Sequence, residues 1–234
     1  PSQHSAYKLR EIGIQPDVLL CRSERPFAED IYNKIALFTN VPRENVINAI
    51  DVDCVYEIPL NFQKAGLPEI IRQHFQLEQR QIVMQDWLQF LQNTKNARET
   101  VTIAVCGKYI RHQDAYKSIG EALLHASSAL LKKVEIVWID SERNFQEEDI
   151  ARELRGVQGI LVPGGFGVRG IEGKIAIAKY ARENNIPYLG ICLGMHTAVI
   201  ECARNLCHLP RANSTEFEEL TPAPVIHLMK DQLY

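Results

Sequence analysis

The chain has 234 residues, a net charge of −3, 46% hydrophobic residues and 24% charged residues, which is the composition of an ordinary globular protein. The slightly acidic balance argues against a nonspecific nucleic-acid binder. No apolar run reaches the roughly 20 residues that a membrane span needs, so we expect no membrane partner. The 6 cysteines form no CxxC pair, which favours reduced thiols and a cytoplasmic location.

The first third of the chain alternates short apolar runs with helical patterns. Short apolar runs predict buried strands, and apolar positions three or four residues apart predict helices. We therefore predict a strand, a helix, a short helix and an amphipathic helix, in that order, at 18–21, 31–39, 41–45 and 67–75. The alternating run 51–59, which ends in a proline, predicts a second strand.

A polar segment divides the sequence at residues 78–98. It is rich in Gln and Asn, with Trp87, Leu88 and Leu91 at helical spacing. We interpret it as an interdomain linker that contains one helix. The first domain then covers residues 1–77 and the second covers 99–234.

The second domain shows a clear alternation of strands and helices. Apolar runs predict strands at 101–106, 134–139, 159–162 and from Ile186, the last as a fully buried central strand. Helical patterns lie between them, at 115–131, 147–154 and 174–182. Such alternation predicts a parallel sheet covered by helices, with its chemistry at the carboxyl ends of the strands. Three loops lie there: 107–109, 163–170 and a turn around a cysteine.

That turn is Gly190-Ile191-Cys192-Leu193-Gly194, between an apolar run and a helical pattern. A sharp strand–turn–helix with small flanking residues is the geometry of a nucleophile elbow, here with Cys in place of Ser. It would also place the thiol at a helix N-terminus, which favours the thiolate. The plainer reading is a buried cysteine that packs as a small hydrophobe. The glycine spacing favours a nucleophile.

The loop 163–170 carries four glycines, at 164, 165, 167 and 170. It could cradle a phosphate, act as a lid or form an oxyanion hole from backbone N–H groups. It lacks the Gly-Lys-[Ser/Thr] ending of a P-loop. Because a nearby strand delivers Cys192, we favour the oxyanion hole, with donors at Gly165 and Leu193.

A cysteine nucleophile also needs a base, usually a histidine that a carboxylate orients. His196 lies four residues after Cys192, on the same helical face. A residue one turn behind the nucleophile is poorly aimed to accept its proton. The sequence therefore offers no convincing base.

Three segments together resemble class I glutamine amidotransferases, and more narrowly the CTP synthase family: the elbow through Met195, the loop 163–170 and the run 212–217. Segments 1–5, 12–17, 21–23 and 34–38 are similar to the synthetase domain of that family. The resemblance implies an α/β fold of two Rossmann-like domains with mainly parallel sheets. The end of a P-loop-type synthetase domain would precede the start of an amidotransferase domain, both incomplete.

The resemblance also implies a reaction, in which CTP is made from UTP, ATP and glutamine. Glutamine is hydrolysed through a thioester, and the ammonia attacks UTP that ATP has phosphorylated. Mg²⁺ accompanies ATP and its ligands are expected outside this chain. GTP is implied as an activator, CTP as an inhibitor, and a homotetramer as the assembly.

Residue by residue, the resemblance implies Cys192 as the nucleophile and Gly165, Leu193 and Glu216 as glutamine-binding residues. His196 stands where the family has Gln, whose amide helps to bind the substrate. An imidazole donates one hydrogen bond but cannot present the same donor–acceptor pair, so we expect altered glutamine affinity.

In the first domain the resemblance implies that Gln3 and Lys34 contact the pyrimidine nucleotide. Asp51 and Val52 would lie beside the ATP base. Without the resemblance, Gln3 and Lys34 would be interpreted as solvated surface residues, since lysine is rarely buried.

The P-loop and the His-Pro-Glu segment of the family match nothing in this sequence, and the chain begins without Met. We therefore expect a fragment that alone neither makes CTP nor hydrolyses glutamine efficiently. Two alternatives stay open: a non-catalytic remnant that binds subunits or nucleotides, and another class I amidotransferase. The synthetase-like segments argue against the second alternative, and the intact elbow glycines argue against the first.

Overall fold

The computed structural model describes residues 2–108, 110, 113–143, 147–227 and 229. Pro1 and Tyr109, which belong to the sequence patterns at 1–5 and 107–109, lie outside the described residues. The chain divides into two compact units, Pro1–Trp87 and Leu88–Tyr234. The division falls within the segment 78–98, while the exact domain bounds stay a prediction.

The first unit is small and contains a pair of parallel strands. Its elements are α1 (Ser2–Glu11), β1 (Leu19–Ser23), α2 (Glu29–Thr39), β2 (Val46–Ile50), α3 (Ile58–Lys64) and α4 (Leu67–His74), with 3₁₀ turns at Arg43–Asn45 and Val55–Glu57. Strands β1 and β2 pair from Leu19 opposite Val46 onward. Cys21, Val41 and Val46 form their buried core.

The strand predicted at 51–59 is wrong. The strand of this region is β2, which ends at Ile50, and a bend at residues 53–54 precedes the 3₁₀ turn Val55–Glu57. Pro59 lies in the first turn of α3, where its missing N–H breaks no helical hydrogen bond. The proline therefore marks the start of a helix and not the end of a strand.

The remaining elements carry the candidate site. They are α5 (Gln85–Asn96), β3 (Glu99–Gly107), α6 (Lys117–Ala129), β4 (Lys132–Asp140), α7 (Glu147–Glu153), β5 (Gly159–Val162), α8 (Ile171–Glu183), β6 (Tyr188–Gly190), α9 (Leu193–Asn205), β7 (Ala212–Ser214) and β8 (Ala223–Ile226), with a 3₁₀ turn at Gln113–Tyr116.

Four of these strands form one sheet in the order β4-β3-β5-β6, and every pairing is parallel. The core lies along β3 and β5, where Ala104, Cys106, Ile160 and Val162 pack against Ile177 of α8. Strands β7 and β8 form a separate parallel pair. The predicted α/β class with mainly parallel sheets is confirmed.

The prediction of a fully buried central strand at Ile186 is wrong for the described sheet. The strand β6 is only three residues long and lies at the end of the strand order. Leu189 is 57% exposed because, in the described part of the chain, β6 pairs only with β5. Of the described helices, none combines the length and the apolar character needed to span a bilayer.

Candidate active site

Cys192 occupies the sharp turn between β6 and α9. Its backbone dihedrals are φ 53° and ψ −109°, a strained conformation for a residue with a side chain. Its carbonyl oxygen accepts hydrogen bonds from the N–H groups of Met195 at 2.9 Å and His196 at 3.1 Å, which begin α9. The side chain is exposed, so the thiol lies at a helix N-terminus and open to a ligand.

The two glycines of the elbow are required by close packing. A Cβ on Gly190 would lie 2.5 Å from the carbonyl carbon and oxygen of Gly194. A Cβ on Gly194 would lie 2.0 Å from the carbonyl oxygen of Val162. Neither position tolerates a side chain, so the glycine spacing serves the strand-to-helix turn itself.

Two hydroxyl groups hold the first turn of α9. The hydroxyl of Tyr188 donates to the carbonyl oxygen of Gly194 at 2.8 Å, and that of Thr197 donates to the same oxygen at 2.9 Å. Burial raises the pKa of Tyr188 to about 12, so it stays a donor at neutral pH. These bonds fix the backbone directly behind Cys192.

The glycine-rich loop 163–170 follows β5 and packs against the elbow. A Cβ on Gly164 would lie 3.5 Å from the Cβ of Cys192, and one on Gly165 would lie 3.5 Å from Leu193 Cδ2. The structure therefore brings Gly165, Leu193 and Cys192 into one site. Lys108, at the end of β3, donates a hydrogen bond from its ammonium to the carbonyl oxygen of Phe166 and ties the loop down.

Lys174 of α8 is a residue that the sequence analysis missed. Its side chain is fully buried, and its Nζ has no hydrogen-bond partner among the described residues. Burial, together with the nearby charge of Lys108, lowers the pKa of Lys174 to about 8. The available signal was its position on the apolar face of α8, between Ile171 and Ala178.

His196 and Glu216 are the remaining residues predicted to bind glutamine. His196 is half-buried in α9, and its Nδ1 is buried without a hydrogen-bond partner in the described residues. Glu216 lies in the exposed turn after β7, where its N–H donates to Ser214 Oγ at 3.2 Å. The described residues include no hydrogen bond from a side chain to the Cys192 thiol, so no base is assembled there.

The residues predicted to bind nucleotides belong to separate elements of the first unit. Gln3 lies on α1 beside an open cleft of about 290 Å³, and Lys34 of α2 pairs with Asp30 at 3.2 Å. Asp51 follows β2 and pairs with Arg22 at 2.6 Å, while Val52 is half-buried. These contacts are exposed, and none joins two of the four predicted residues to each other.

No three His, Cys, Asp or Glu side chains of the described ranges converge in a way that could hold a metal ion. The structure places all six cysteines as free thiols.

Two family profiles match the sequence. The profile described as CTP synthase N-terminus matches residues 1–77, and the profile described as Glutamine amidotransferase class-I matches residues 112–226. Each unit of the chain is therefore matched by one profile.

Curated relatives named CTP synthase match nearly the whole chain. The protein of Methanocaldococcus jannaschii is 51% identical over 237 residues, which cover 99% of this chain and 44% of the relative. That of Desulfitobacterium hafniense is 49% identical and covers 99% of this chain and 43% of the relative. The chain thus spans less than half the length of these relatives.

A solved structure matches part of the fold. It is the glutaminase domain of Trypanosoma brucei CTPS with bound acivicin, with a TM-score of 0.53 and 42% sequence identity. The match covers 56% of this chain and 51% of that one. By its profiles, its relatives and its fold, the chain belongs to the CTP synthase family and joins CTP synthase N-terminal sequence to class I glutamine amidotransferase sequence.

Proposed function

We propose that this chain provides the nucleophile of a CTP-forming amidoligase, with Cys192 attacking the side-chain carboxamide of glutamine. The observation that carries the proposal is the position of Cys192: exposed, at positive φ, at the N-terminus of α9 and in contact with a glycine-rich loop. The names of the relatives support CTP synthesis as the reaction of the longer protein.

The chemical step forms one bond and breaks another. The Cys192 thiolate attacks the carboxamide carbon, and negative charge builds on the oxygen, where N–H groups of Gly165 and Leu193 would stabilise it. The C–N bond then breaks, and the nitrogen takes the bonding pair together with a proton from solvent and leaves as ammonia. In the longer protein, water would hydrolyse the thioester to glutamate, and ammonia would displace the phosphate from UTP that ATP has phosphorylated.

The proposal gives His196 and Glu216 the task of binding the amino-acid end of glutamine. The buried Nδ1 of His196 supports this role, since it has no hydrogen-bond partner in the described part of the chain and a ligand would satisfy it. In the first unit, Gln3 and Lys34 would contact the pyrimidine nucleotide, and Asp51 and Val52 the ATP base.

The finer parts of the proposal rest on family membership alone. They are activation by GTP, inhibition by CTP, a requirement for Mg²⁺, a homotetramer and a cytoplasmic location. Because no described residue is hydrogen-bonded to the Cys192 thiol as a base, we also propose that the N-terminus of α9 favours the thiolate. Without a base to activate water, the thioester then forms but is hydrolysed slowly by this chain.

Labelling with acivicin tests the proposal. The related trypanosomal domain was solved with this glutamine analogue bound. We expect one acivicin per chain, located on Cys192 by peptide mass mapping, with protection by glutamine but not by asparagine. The control is Cys202→Ala, which removes another exposed thiol of α9 and should leave the labelling unchanged.

Acivicin that distributes over Cys192, Cys202 and Cys207 without protection by glutamine would contradict the proposal. It would favour the non-catalytic remnant, in which Cys192 is one exposed thiol among three.

A further inference from the structure

The cysteine site contains a buried cation that has no ionic or hydrogen-bond partner among the described residues. Lys174 is 0% exposed, and its ammonium makes no hydrogen bond in that part of the chain. An ammonium taken out of water without an acceptor is costly, and such groups concentrate where a protein handles a ligand or a developing charge.

The ammonium points at the glycine-rich loop. A Cβ on Gly165 would lie 3.8 Å from Lys174 Nζ and 3.7 Å from Lys108 Cε. The same Cβ would lie 3.5 Å from a methyl group of Leu193, the residue after Cys192. Two lysines, one from α8 and one from the end of β3, therefore flank the glycine that faces the elbow.

A second cation on α8 has a carboxylate partner. Arg182 donates to the buried carboxylate of Glu201 on α9 at 2.8 Å, with a further bond at 3.1 Å. The same pair of helices thus supplies a carboxylate to Arg182 and leaves Lys174 without one. Within the described residues, Lys174 therefore has no acceptor at its position beside Gly165.

The titratable groups that act on Lys174 are Cys106 of β3 and Lys108, which follows that strand. Glu153 of α7 and Tyr188 of β6 interact with Cys106, and Glu153 is paired with Arg143 at 2.9 Å. Burial raises the pKa of the Cys106 thiol, so this group is neutral and supplies no counter-charge at physiological pH.

We propose that Lys174 is a positioning residue of the cysteine site, which acts through Gly165 to place positive charge beside the carbonyl oxygen of an acyl group under attack by Cys192. The inference rests on the proposed function. The thiolate forms the S–C bond, and the carbonyl π electrons move to oxygen. When they return, the bond to the leaving group breaks and that group takes the bonding pair. Lys174 stabilises the intermediate charge and accepts no proton.

Two reagents distinguish a loss of charge stabilisation at the carbonyl oxygen from a change in the reactivity of the Cys192 thiol. p-Nitrophenyl acetate acylates Cys192 through a charged carbonyl oxygen and releases p-nitrophenolate. Iodoacetamide alkylates the same thiolate by displacing iodide, with no charge on a carbonyl oxygen. Both reactions use the Cys192 thiolate, so the ratio of the acylation rate to the alkylation rate does not depend on the fraction of Cys192 that is ionised. A Cys192→Ala chain measures the background reaction of Cys202 and Cys207.

We expect Lys174→Met to lower the acylation-to-alkylation ratio by about tenfold or more. The control is Lys179→Met, the same substitution on the same helix at a lysine whose exposed partner is Glu147 at 2.6 Å. The control should leave the ratio unchanged. A Lys174→Met ratio within about twofold of the wild-type ratio overturns the inference.

The wild-type chain gives an independent readout that needs no variant. As pH rises through about 8, Lys174 loses its proton, so the ratio should fall across that range. A flat wild-type ratio overturns the inference. If Cys192 is acylated and Lys174→Met leaves the acylation-to-alkylation ratio unchanged, the inference alone is rejected. If Cys192 is not acylated above background, the proposed function is rejected as well.

Discussion

The cysteine elbow and the nucleotide-side segments differ in how closely the surrounding chain encloses them. At the elbow, backbone atoms pack so closely around Gly190 and Gly194 that a single added carbon would overlap them. In the first unit, Lys34 and Asp51 make exposed ion pairs, with Asp30 and Arg22 respectively. The elbow geometry is therefore fixed by the packing of its own unit, while nothing described in the first unit holds the nucleotide-side residues in one arrangement.

The substitution Gly194→Ala tests how tightly the elbow is packed, and we expect it to lower stability more than any other change considered. Its Cβ would lie 2.0 Å from the Val162 carbonyl oxygen, so β5 and α9 must separate. We expect a loss of about 5 kcal/mol in the free energy of unfolding, measured by urea denaturation.

The matched control is Gly120→Ala, also in a helix of the second unit. The closest atom to its added Cβ is Ile136 Cδ1 at 3.9 Å, so we expect no loss and a small gain from helix propensity. Equal stability of the two variants would mean that the elbow is not tightly enclosed.

Arg182→Met is expected to have the next largest effect. It leaves the Glu201 carboxylate, which is 1% exposed, without its ion-pair partner, and we expect a loss of about 4 kcal/mol at pH 7. The exposed pair of Lys179 with Glu147 is the control, and Lys179→Met should change stability by about 0.5 kcal/mol or less.

The same pair predicts a pH dependence. Burial raises the pKa of Glu201, but hydrogen bonds from Arg182 and Asn205 outweigh it and leave the pKa below its ordinary value. The stabilisation is therefore complete above the unfolded-state pKa of about 4.5 and is lost as pH falls through the folded-state pKa. The difference between wild type and Arg182→Met should shrink in acid; a constant difference would argue against the ion pair.

Lys174→Met should act in the opposite direction and stabilise the fold. The pKa of Lys174 is lowered from 10.5 to about 8, so the unfolded chain binds the extra proton and stability rises with pH in that window. Removing the charge should add about 3 kcal/mol below pH 8, and the gain should disappear as pH approaches 10.5. Loss of stability at neutral pH would contradict the buried charge.

Lys34→Ala tests the exposed nucleotide-side residues of the first unit, and we expect it to change stability the least. Among the described residues the exposed ammonium of Lys34 pairs with Asp30 alone, one turn away. We therefore expect the free energy of unfolding, measured by urea denaturation, to change by about 0.5 kcal/mol or less. Lys8→Ala, which removes a similar exposed pair with Glu11, is the control. A much larger effect at Lys34 would reveal a structural role.

The features that sequence analysis predicted well are local. The elbow needs only the spacing of Gly190, Cys192 and Gly194 between a strand pattern and a helix pattern, and all of that lies within one continuous segment. The alternation of the second unit was similarly visible, because each strand and helix carries its own period.

The features that failed depend on neighbours distant in sequence. The alternating pattern in 51–59 suggested a strand, but Pro59 lies in the first turn of α3. The strand of this region is β2, and it forms by pairing with β1, which is distant in sequence. The exposure of Leu189 depends on which strands flank β6. The isolation of Lys174 depends on two other segments, the loop 163–170 and the end of β3, which no helical pattern can reveal.

The most direct test of the central claim is the intact mass of the chain after incubation with glutamine and an acid quench. We expect one added γ-glutamyl group, which is located on Cys192, is removed by hydroxylamine and is absent from Cys192→Ala. An unmodified Cys192, or an adduct that persists in Cys192→Ala, would contradict the assignment of Cys192 as the nucleophile.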